Sequence, residues 1–191
     1  DLPRVADRIY SESRRMSQLV EDILELSHLE SGLEAPAREA VDVYTVAQNA
    51  VESLTIQAEQ KGVTLELTGE QTEIIGVPEQ IYTIIYNLCD NAIRYNRPGG
   101  SVSVRVGSED VNAVIEVADT GIGIPKEDYD RIFERFYRID KGRSRDMGGT
   151  GLGLAIVKNA ILLHGGTITI STPETGGLTF EFTLKTEGAF S

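Results

Sequence analysis

The sequence is poor in cysteine, in positive charge and in long hydrophobic segments. Cys89 is the only cysteine, which excludes an internal disulfide and fits a reducing compartment. Lysine and arginine number 18 against 30 acidic residues, and a net charge of −12 disfavours binding of nucleic acid or anionic lipid by the bulk surface. No run of 18 apolar residues and no signal peptide is present, so no membrane-spanning helix is predicted. Because the chain begins with Asp1, we expect a fragment of a longer protein, with a membrane anchor upstream.

The first 31 residues predict one long helix with an apolar seam. Asp1 and Pro3 are typical of a helix start, and Gly32 is typical of a helix end. Apolar residues recur at steps of three and four, and Glu12 fills one seam position of this heptad-like pattern. The apolar seam consists of Leu2, Val5, Ile9, Met16, Leu19, Ile23 and Leu26. We expect this seam to need a partner helix from a longer parent protein or another chain. The alternative is a linker helix that packs on the following domain.

Beyond a predicted linker at 32–40, residues 41–186 predict one domain of strands and helices. A content of 40% hydrophobic and 25% charged residues suits one globular domain with an appendage. Apolar alternation indicates strands, and glycine and proline delimit the helices. We predict strands at about 39–43, 63–68, 73–77, 101–106, 111–118, 167–171 and 178–184, and helices at about 44–61, 78–95 and 151–164. This grouping favours an α+β fold with one sheet and one layer of helices.

The segment NLCDNAIRYN carries two asparagines on one face of a predicted helix. Asn87 and Asn91 are four residues apart and therefore lie one turn from each other. The apolar face of the same helix consists of Ile81, Ile84, Ile85, Leu88 and Ala92. An amide oxygen is a hard, neutral ligand that Mg²⁺ accepts alongside phosphate oxygens and water. The alternative is a solvated polar stripe.

The segment ADTGIGIP places a carboxylate and two glycines directly after a predicted strand. Asp119 would accept a hydrogen bond from the exocyclic amine of adenine, whereas guanine presents a carbonyl oxygen at that position. Gly121 and Gly123 would allow the backbone to approach a base closely. The alternative is an ordinary Asp-Gly turn at the end of a strand.

A second glycine cluster, GGTGLGLAIVK, leads into a predicted helix. Backbone amides at a helix N-terminus attract phosphate, and Gly149, Gly151 and Gly153 lie at that position. A dinucleotide-binding site of the Rossmann type would need a strand just before the glycines, and the preceding segment is charged and without strand character. The alternative is a flexible hinge.

A charged segment, from Lys126 to Asp146, separates the two glycine clusters. Within it, the span from Arg131 to Arg145 contains six cations: Arg131, Arg135, Arg138, Lys141, Arg143 and Arg145. The acids of the same span are Glu134 and Asp140, which leaves a charge of about +4 over these residues of an acidic chain. We expect Phe133, Phe136 and Tyr137 to give this segment an apolar anchor and the segment to act as a lid over a polyphosphate. The alternative is a solvated surface helix.

Taken in their order, these segments resemble the ATP-binding catalytic domain of bacterial sensor histidine kinases, in the superfamily that also holds DNA gyrase, mismatch-repair and chaperone ATPases. NLCDNAIRYN is similar to the N box of that family, ADTGIGIP to its first glycine box, IFERFYRID to its phenylalanine box, GGTGLGLAIVK to its second glycine box and GGLTFEFTL to its closing strand. The resemblance covers about residues 40–185. It implies a two-layer sandwich in which a mixed, mostly antiparallel sheet packs on three helices, with a lid at about 124–150.

The resemblance implies ATP and Mg²⁺ as ligands and assigns a base pocket. Asp119 would bind the adenine amine, Thr179 would lie near it through water, and Tyr95 would lie along the base. The other residues implied to surround the nucleotide are Gly121, Gly123, Ile124, Phe133, Phe136, Arg138, Gly149, Thr150, Gly151, Leu152 and Gly153.

At the phosphate end, the resemblance implies that Asn91 and Asn87 hold Mg²⁺ and that Arg94 reaches the phosphates, at a position where the family often has lysine. In the hydrolysing relatives, a glutamate at the position of Asn87 activates water. An amide cannot serve as a general base, so we expect slow ATP hydrolysis.

Residues 1–31, ending in LVEDILELSHLESG, resemble the second helix of the family's dimerisation hairpin. The phosphoacceptor motif, a histidine followed by an acid, a basic residue and proline, is absent, because neither His28 nor His164 has that context. We therefore expect a protein-histidine kinase fragment that does not autophosphorylate. The implied partners are an acceptor hairpin of the same or a partner subunit and a response regulator, but not nucleic acid. The implied parent is a homodimeric, membrane-anchored sensor with this domain in the cytoplasm. The alternatives are an ATPase of the same superfamily, an anti-sigma-type serine kinase and a non-catalytic module.

Overall fold

The computed structural model describes residues 2–31, 36–139, 149–174 and 176–186. Within these residues the chain forms four α-helices and seven β-strands. The helices are α1 (Leu2–Ser31), α2 (Val43–Lys61), α3 (Pro78–Arg94) and α4 (Gly153–Leu163). The strands are β1 (Glu39–Asp42), β2 (Thr64–Gly69), β3 (Glu73–Gly76), β4 (Ser101–Glu109), β5 (Asn112–Asp119), β6 (Ile168–Ser171) and β7 (Leu178–Lys185). The sequence predicted each of these elements, with ends that agree to within three residues.

Five strands form one mixed sheet in the order β2-β4-β5-β7-β6, and β1 pairs with β3 in a separate two-stranded sheet. The pairs β4–β5, β5–β7 and β6–β7 are antiparallel, whereas β2 and β4 run parallel. A parallel pair needs a crossover, and the crossover between β2 and β4 contains α3. The predicted α+β sandwich, a mostly antiparallel sheet with a layer of helices, is confirmed.

The core lies between the sheet and α2, α3 and α4. Alternate residues of the inner strands β4 and β5 are fully buried, as expected when one face of a sheet meets the core. These residues are Val102, Val104, Val106, Ala113, Ile115 and Val117. The apolar face predicted for α3 is also buried. Cys89 is buried with it, and this burial raises the pKa of its thiol to about 12, with a smaller contribution from Asp90. The single thiol is therefore a packing residue.

Helix α1 divides into a docked end and an exposed remainder. Its last turns pack against the domain through α4, and Leu26 and Leu29 are buried there. The earlier seam residues Val5, Ile9 and Met16 are more than half exposed. Both sequence interpretations therefore describe part of the helix: its C-terminal end packs on the domain, while most of the seam stays uncovered in the single chain.

His164 ends α4, as predicted, and ties this helix to the start of α3. Its Nδ1–H donates to the carbonyl of Ala160 at 2.8 Å, and its Nε2 accepts from the backbone N–H of Val77 at 3.1 Å. Burial lowers the pKa of His164, the carbonyl of Ala160 opposes this effect, and the charge of Arg38 adds to it. The imidazole is therefore a neutral structural link, because a second ring proton would remove the acceptor of Val77.

This link predicts a pH-dependent stability. A lowered folded pKa means that the unfolded chain takes up the His164 proton first. The stabilisation should therefore be complete above the unfolded value of about 6.5 and be lost as the pH falls toward the folded pKa, by at most about 1.4 kcal/mol per pH unit. Urea denaturation between pH 7.5 and 5.5 should show a steeper loss for the wild type than for His164→Gln. The exposed His28 provides the control, and His28→Gln should follow the wild type. Parallel curves for wild type and His164→Gln would contradict this assignment.

Candidate nucleotide-binding site

The first glycine segment is joined to the end of α3. The N–H of Ile122 donates to the carbonyl of Tyr95 at 3.2 Å. A Cβ built on Gly121 would lie 2.6 Å from that carbonyl oxygen and 2.8 Å from Oδ1 of Asp119. Only a glycine fits between these two oxygens. The end of β5 and the end of α3, which are distant in sequence, therefore form one rim.

Asp119 is the last residue of β5 and is partly buried. Its Oδ1 accepts from the N–H of Gly121 at 2.7 Å. Burial raises the pKa of Asp119, while the backbone amides of Gly121 and Leu178 oppose that shift. Asp119 pairs with Leu178 in the register of β5 and β7, whereas Thr179 pairs with Ala118. Because side chains alternate along a strand, the register places Thr179 on the opposite face of the sheet from Asp119, against the expectation that it lies near this carboxylate.

The two asparagines lie on the face of α3 that turns away from the buried one. Asn87 donates through Nδ2 to the carbonyl of Thr83 at 3.0 Å, which fixes its amide. Its Oδ1 would lie 3.0 Å from a Cβ built on Gly153, the first residue of α4. Asn91 is partly buried one turn further on. An amide oxygen therefore faces the N-terminus of α4 across a gap that glycine keeps open.

Three side chains with different predicted roles converge on Gly149: Arg94 was expected at the phosphates, Tyr95 along the base and Arg138 in the lid. A Cβ built there would lie 3.4 Å from Nη1 of Arg94, 3.8 Å from Oη of Tyr95 and 4.0 Å from Nη2 of Arg138. Arg94 also donates to Asp90 at 2.6 Å. The carboxylate of Asp90 in turn accepts from Gln57 of α2 at 2.7 Å.

The second glycine segment is hydrogen-bonded to the lid at Phe136. Gly151 has a φ of +79°, a conformation that glycine adopts without strain, and its carbonyl accepts from the N–H of Phe136 at 2.9 Å. Thr150 accepts from the N–H of Leu152 at 3.3 Å, and Leu152 is buried. Residues 150–152 therefore support the lid through hydrogen bonds, beyond the hinge role considered from the sequence.

Two of the three aromatic residues expected to anchor the lid, Phe133 and Tyr137, pack against the core, and Ile132 joins them. Ile132 is buried, and Phe133 packs edge-on to Phe180 with ring centroids 6.4 Å apart. Tyr137 is partly buried and donates to Asp128 at 2.6 Å. The prediction that Phe136 belongs to the apolar anchor was wrong, because its side chain is 58% exposed and its backbone has a φ of +61°.

Three of the six cations predicted for the lid lie among the described residues, and each has a different contact. Arg131 stacks over the ring of Tyr137 at 4.3 Å, and Arg138 lies near Gly149. Arg135 forms an ion pair with Glu30 of α1. The predicted contributions of Asp140, Lys141, Arg143 and Arg145 lie outside the described residues.

The sequence interpretation missed two acidic residues of the site. Asp90 bonds Arg94, and the spacing of four residues on one helix was the signal that could have revealed it. Asp22 of α1 accepts from the hydroxyl of Thr150 at 2.5 Å, across 128 positions of sequence. No local pattern announces a contact of that range.

The sequence profile of the family described as histidine kinase-, DNA gyrase B-, and HSP90-like ATPase matches residues 76–188. The chain is 39% identical over 186 residues to the sensor-like histidine kinase SenX3 of Mycolicibacterium smegmatis, an alignment that covers 95% of this chain and 47% of SenX3. It is 36% identical over 185 residues to the sensor histidine kinase WalK of Bacillus subtilis, an alignment that covers 95% of this chain and 30% of WalK. The chain thus spans less than half of the length of either curated relative.

Solved structures show the same likeness. The mycobacterial sensor histidine kinase MprB superposes with a TM-score of 0.69 at 30% identity, over 78% of this chain and 97% of that one. The Acinetobacter baumannii histidine kinase AdeS gives a TM-score of 0.79 at 25% identity, over 95% and 84%. Full-length ShkA in complex with AMPPNP gives a TM-score of 0.82 at 25% sequence identity, over 99% of this chain and 40% of that one. In the described part of this chain, no helix is both long and apolar enough to cross a membrane.

The rim between β5 and α3 predicts a sharp difference between two glycines. Gly121→Ala should lower the free energy of unfolding by about 1–3 kcal/mol, because the new methyl group would press on a main-chain oxygen that cannot move alone. Gly107→Ala is the control, since a Cβ built on this β4 residue meets no atom within 4 Å. It should leave stability within about 0.5 kcal/mol or raise it slightly. Urea denaturation of both variants measures the difference, and equal values would contradict the described packing of the rim.

Proposed function

The chain belongs to the family of histidine kinase-, DNA gyrase B- and HSP90-like ATPases, and we propose that it is the catalytic part of a two-component sensor histidine kinase. In this proposal residues 41–186 bind Mg·ATP and transfer its γ-phosphate to a histidine on a dimerisation hairpin, for relay to an aspartate of a response regulator. The observation that supports it most is the partly buried Asp119, the Oδ1 of which accepts from the N–H of Gly121 in the rim between β5 and α3. The relatives found are sensor histidine kinases, which favours this function over a dedicated ATPase or a serine kinase.

The base pocket explains selectivity for adenine. The carboxylate of Asp119 accepts from the exocyclic amine. Because Asp119 is partly buried, a base that donates no hydrogen bond to it would leave its charge buried and unsatisfied, at a cost in binding free energy. Guanine, with an oxygen at that position, would oppose the carboxylate. Gly121 and Gly123 let the backbone reach the ring, and Tyr95 lies along it.

The residues at the phosphate end fit a magnesium-bound polyphosphate. Asn87 and Asn91 offer amide oxygens, and the glycines of the second cluster leave the space that side chains would otherwise fill. Mg²⁺, when bound, would neutralise phosphate charge and orient the γ-phosphoryl group. Arg94 and Arg138 converge near Gly149, so they can bind phosphate oxygens and draw the lid toward them.

The residue types favour transfer to a protein side chain over hydrolysis. A water molecule needs a general base, and the amide of Asn87, which donates to Thr83, cannot accept a proton. An imidazole brings its own nucleophilic nitrogen. The domain then has to position the γ-phosphoryl group and stabilise its charge, which positioning residues and cations do.

Helix α1 is proposed to be the second helix of the dimerisation hairpin. Its exposed seam, with Val5, Ile9 and Met16, supports pairing with the first helix and with a second subunit in the parent protein. His28 and His164 lack an acceptor's context, and His164 is buried, so the fragment should not phosphorylate itself. The parent is proposed to be a homodimeric membrane-anchored sensor with this domain in the cytoplasm.

Nucleotide selectivity tests the base pocket. In calorimetry with Mg²⁺, ATP should bind about 10- to 100-fold more tightly than GTP, the value of one buried unpaired polar group. Asp119→Asn should weaken ATP binding at least about tenfold and abolish the preference. Because the carboxylate is the binding form and its pKa is raised, ATP affinity of the wild type should fall as the pH drops through that pKa, and this dependence should vanish in the variant. Equal binding of ATP and GTP by the wild type would overturn the pocket.

Transfer to an added acceptor tests the reaction. With γ-labelled ATP, the chain should label a separate hairpin peptide that carries the acceptor histidine, remain unlabelled itself, and release free phosphate slowly. Asn91→Ala should reduce peptide labelling at least about tenfold, whereas Asn49→Ala, at an exposed position of α2, should not. A phosphate release rate typical of a dedicated ATPase, with no peptide labelling, would support the ATPase alternative instead.

A further inference from the structure

The last turns of α1 present a docking face to the nucleotide site, made of Asp22, Glu25, Leu26, Leu29 and Glu30. Leu26 and Leu29 are 4% and 7% exposed and anchor the helix on the domain. The other three residues of the docking face are acidic. Each of them contacts a different segment around the proposed phosphate end, so the contact joins the helix to the site rather than to a remote part of the domain.

Asp22 contacts the second glycine segment. It is only 9% exposed, and its carboxylate accepts from Thr150 at 2.5 Å and from Gln18 at 2.9 Å. Both donors are neutral groups. Thr150 directly follows Gly149, around which Arg94 and Arg138 converge. A carboxylate with little exposure to solvent therefore contacts Thr150, one of the residues assigned to the surroundings of the nucleotide.

Glu25 extends this negative field to α3. The hydroxyl of Thr83 donates to its carboxylate, and the carbonyl of Thr83 holds the amide of Asn87. Burial raises the pKa of Glu25, Thr83 opposes the shift, and the charge of Asp22 adds to it. Two of the three carboxylates of the docking face, those of Asp22 and Glu25, therefore repel each other near the proposed metal ligand Asn87.

Glu30 contacts the lid. Its carboxylate pairs with Arg135, one of the cations that the sequence assigned to a polyphosphate. When α1 is docked, Arg135 is therefore paired with α1. Bound phosphate would add negative charge next to Asp22 and Glu25, and it would compete with Glu30 for the positive charge of Arg135.

We infer that the docking face of α1 and the phosphates of the nucleotide are antagonists, so that docking of α1 weakens nucleotide binding and a bound triphosphate loosens α1. Like charges in a partly desolvated setting repel more strongly than in water. Coupling between two binding events is reciprocal, so whatever affinity docking removes from the nucleotide, the nucleotide removes from docking. This inference rests on the proposed nucleotide site and adds a regulation of it by the hairpin helix.

Neutralising Asp22 without changing its shape tests the antagonism. Asp22→Asn keeps an oxygen that can accept from Thr150 but removes the charge. The dissociation constant for the non-hydrolysable analogue AMPPNP with Mg²⁺, measured by calorimetry, should fall about fivefold or more, within the usual range of coupling factors. Adenosine, which has the same base and no phosphate, should bind wild type and variant equally. Asp7→Asn is the matched control, because Asp7 is exposed on the same helix and its loss changes the net charge identically.

The outcomes separate this inference from the proposed function. Tighter AMPPNP binding by Asp22→Asn alone, with adenosine unchanged, supports the antagonism. Unchanged or weaker AMPPNP binding, the same gain with adenosine, or the same gain in Asp7→Asn overturns it and leaves the nucleotide site standing. A wild type that binds neither compound overturns both. Glu25→Gln, expected to act in the same direction, replaces Asp22→Asn if melting curves show that the latter is unfolded.

Discussion

A backbone carbonyl at the end of α3 holds the candidate site together. The oxygen of Tyr95 accepts from Ile122, and Gly121 passes so close to it that no side chain fits. The helix that carries the asparagines is thereby fixed to the strand that carries Asp119. Without this joint, Asp119 and the asparagines would lie on two independent segments. With it, both belong to one rim, as the proposed binding of a base and its phosphates requires.

The elements of the domain could be predicted from local patterns, since each depends on its own periodicity and punctuation. Helix α3 is an example: its apolar residues recur at helical spacing and are buried, and its asparagines fall on the opposite face. The parallel pairing of β2 with β4 could not be predicted, because it depends on how the crossover through α3 packs. Phe136 misled the interpretation for a related reason. Composition indicated an anchor, but the positive φ that brings its N–H to Gly151 turns its side chain outward.

The candidate site was predictable as a set of motifs and less so as a set of contacts. Asp119, Asn87 and the glycines belong to segments recognisable in isolation. The partners of these segments come from elsewhere: Gln57 of α2 holds Asp90, and Asp22 of α1 holds Thr150. The chain is acidic overall, so the few places where its carboxylates are buried matter more than its net charge. Such burial is visible only once the chain has folded.

The geometry of α1 also has a mechanical consequence. At 1.5 Å per residue the helix is about 45 Å long, and only its last turns rest on the domain. Residues 2–18 extend about 25 Å beyond that fulcrum. On either side of its contact with the domain, the helix therefore has a long free part and a short docked part. A tilt that moves the free end by several ångströms displaces the carboxylate of Asp22 by only a fraction of one, a distance comparable to the tolerance of a hydrogen bond.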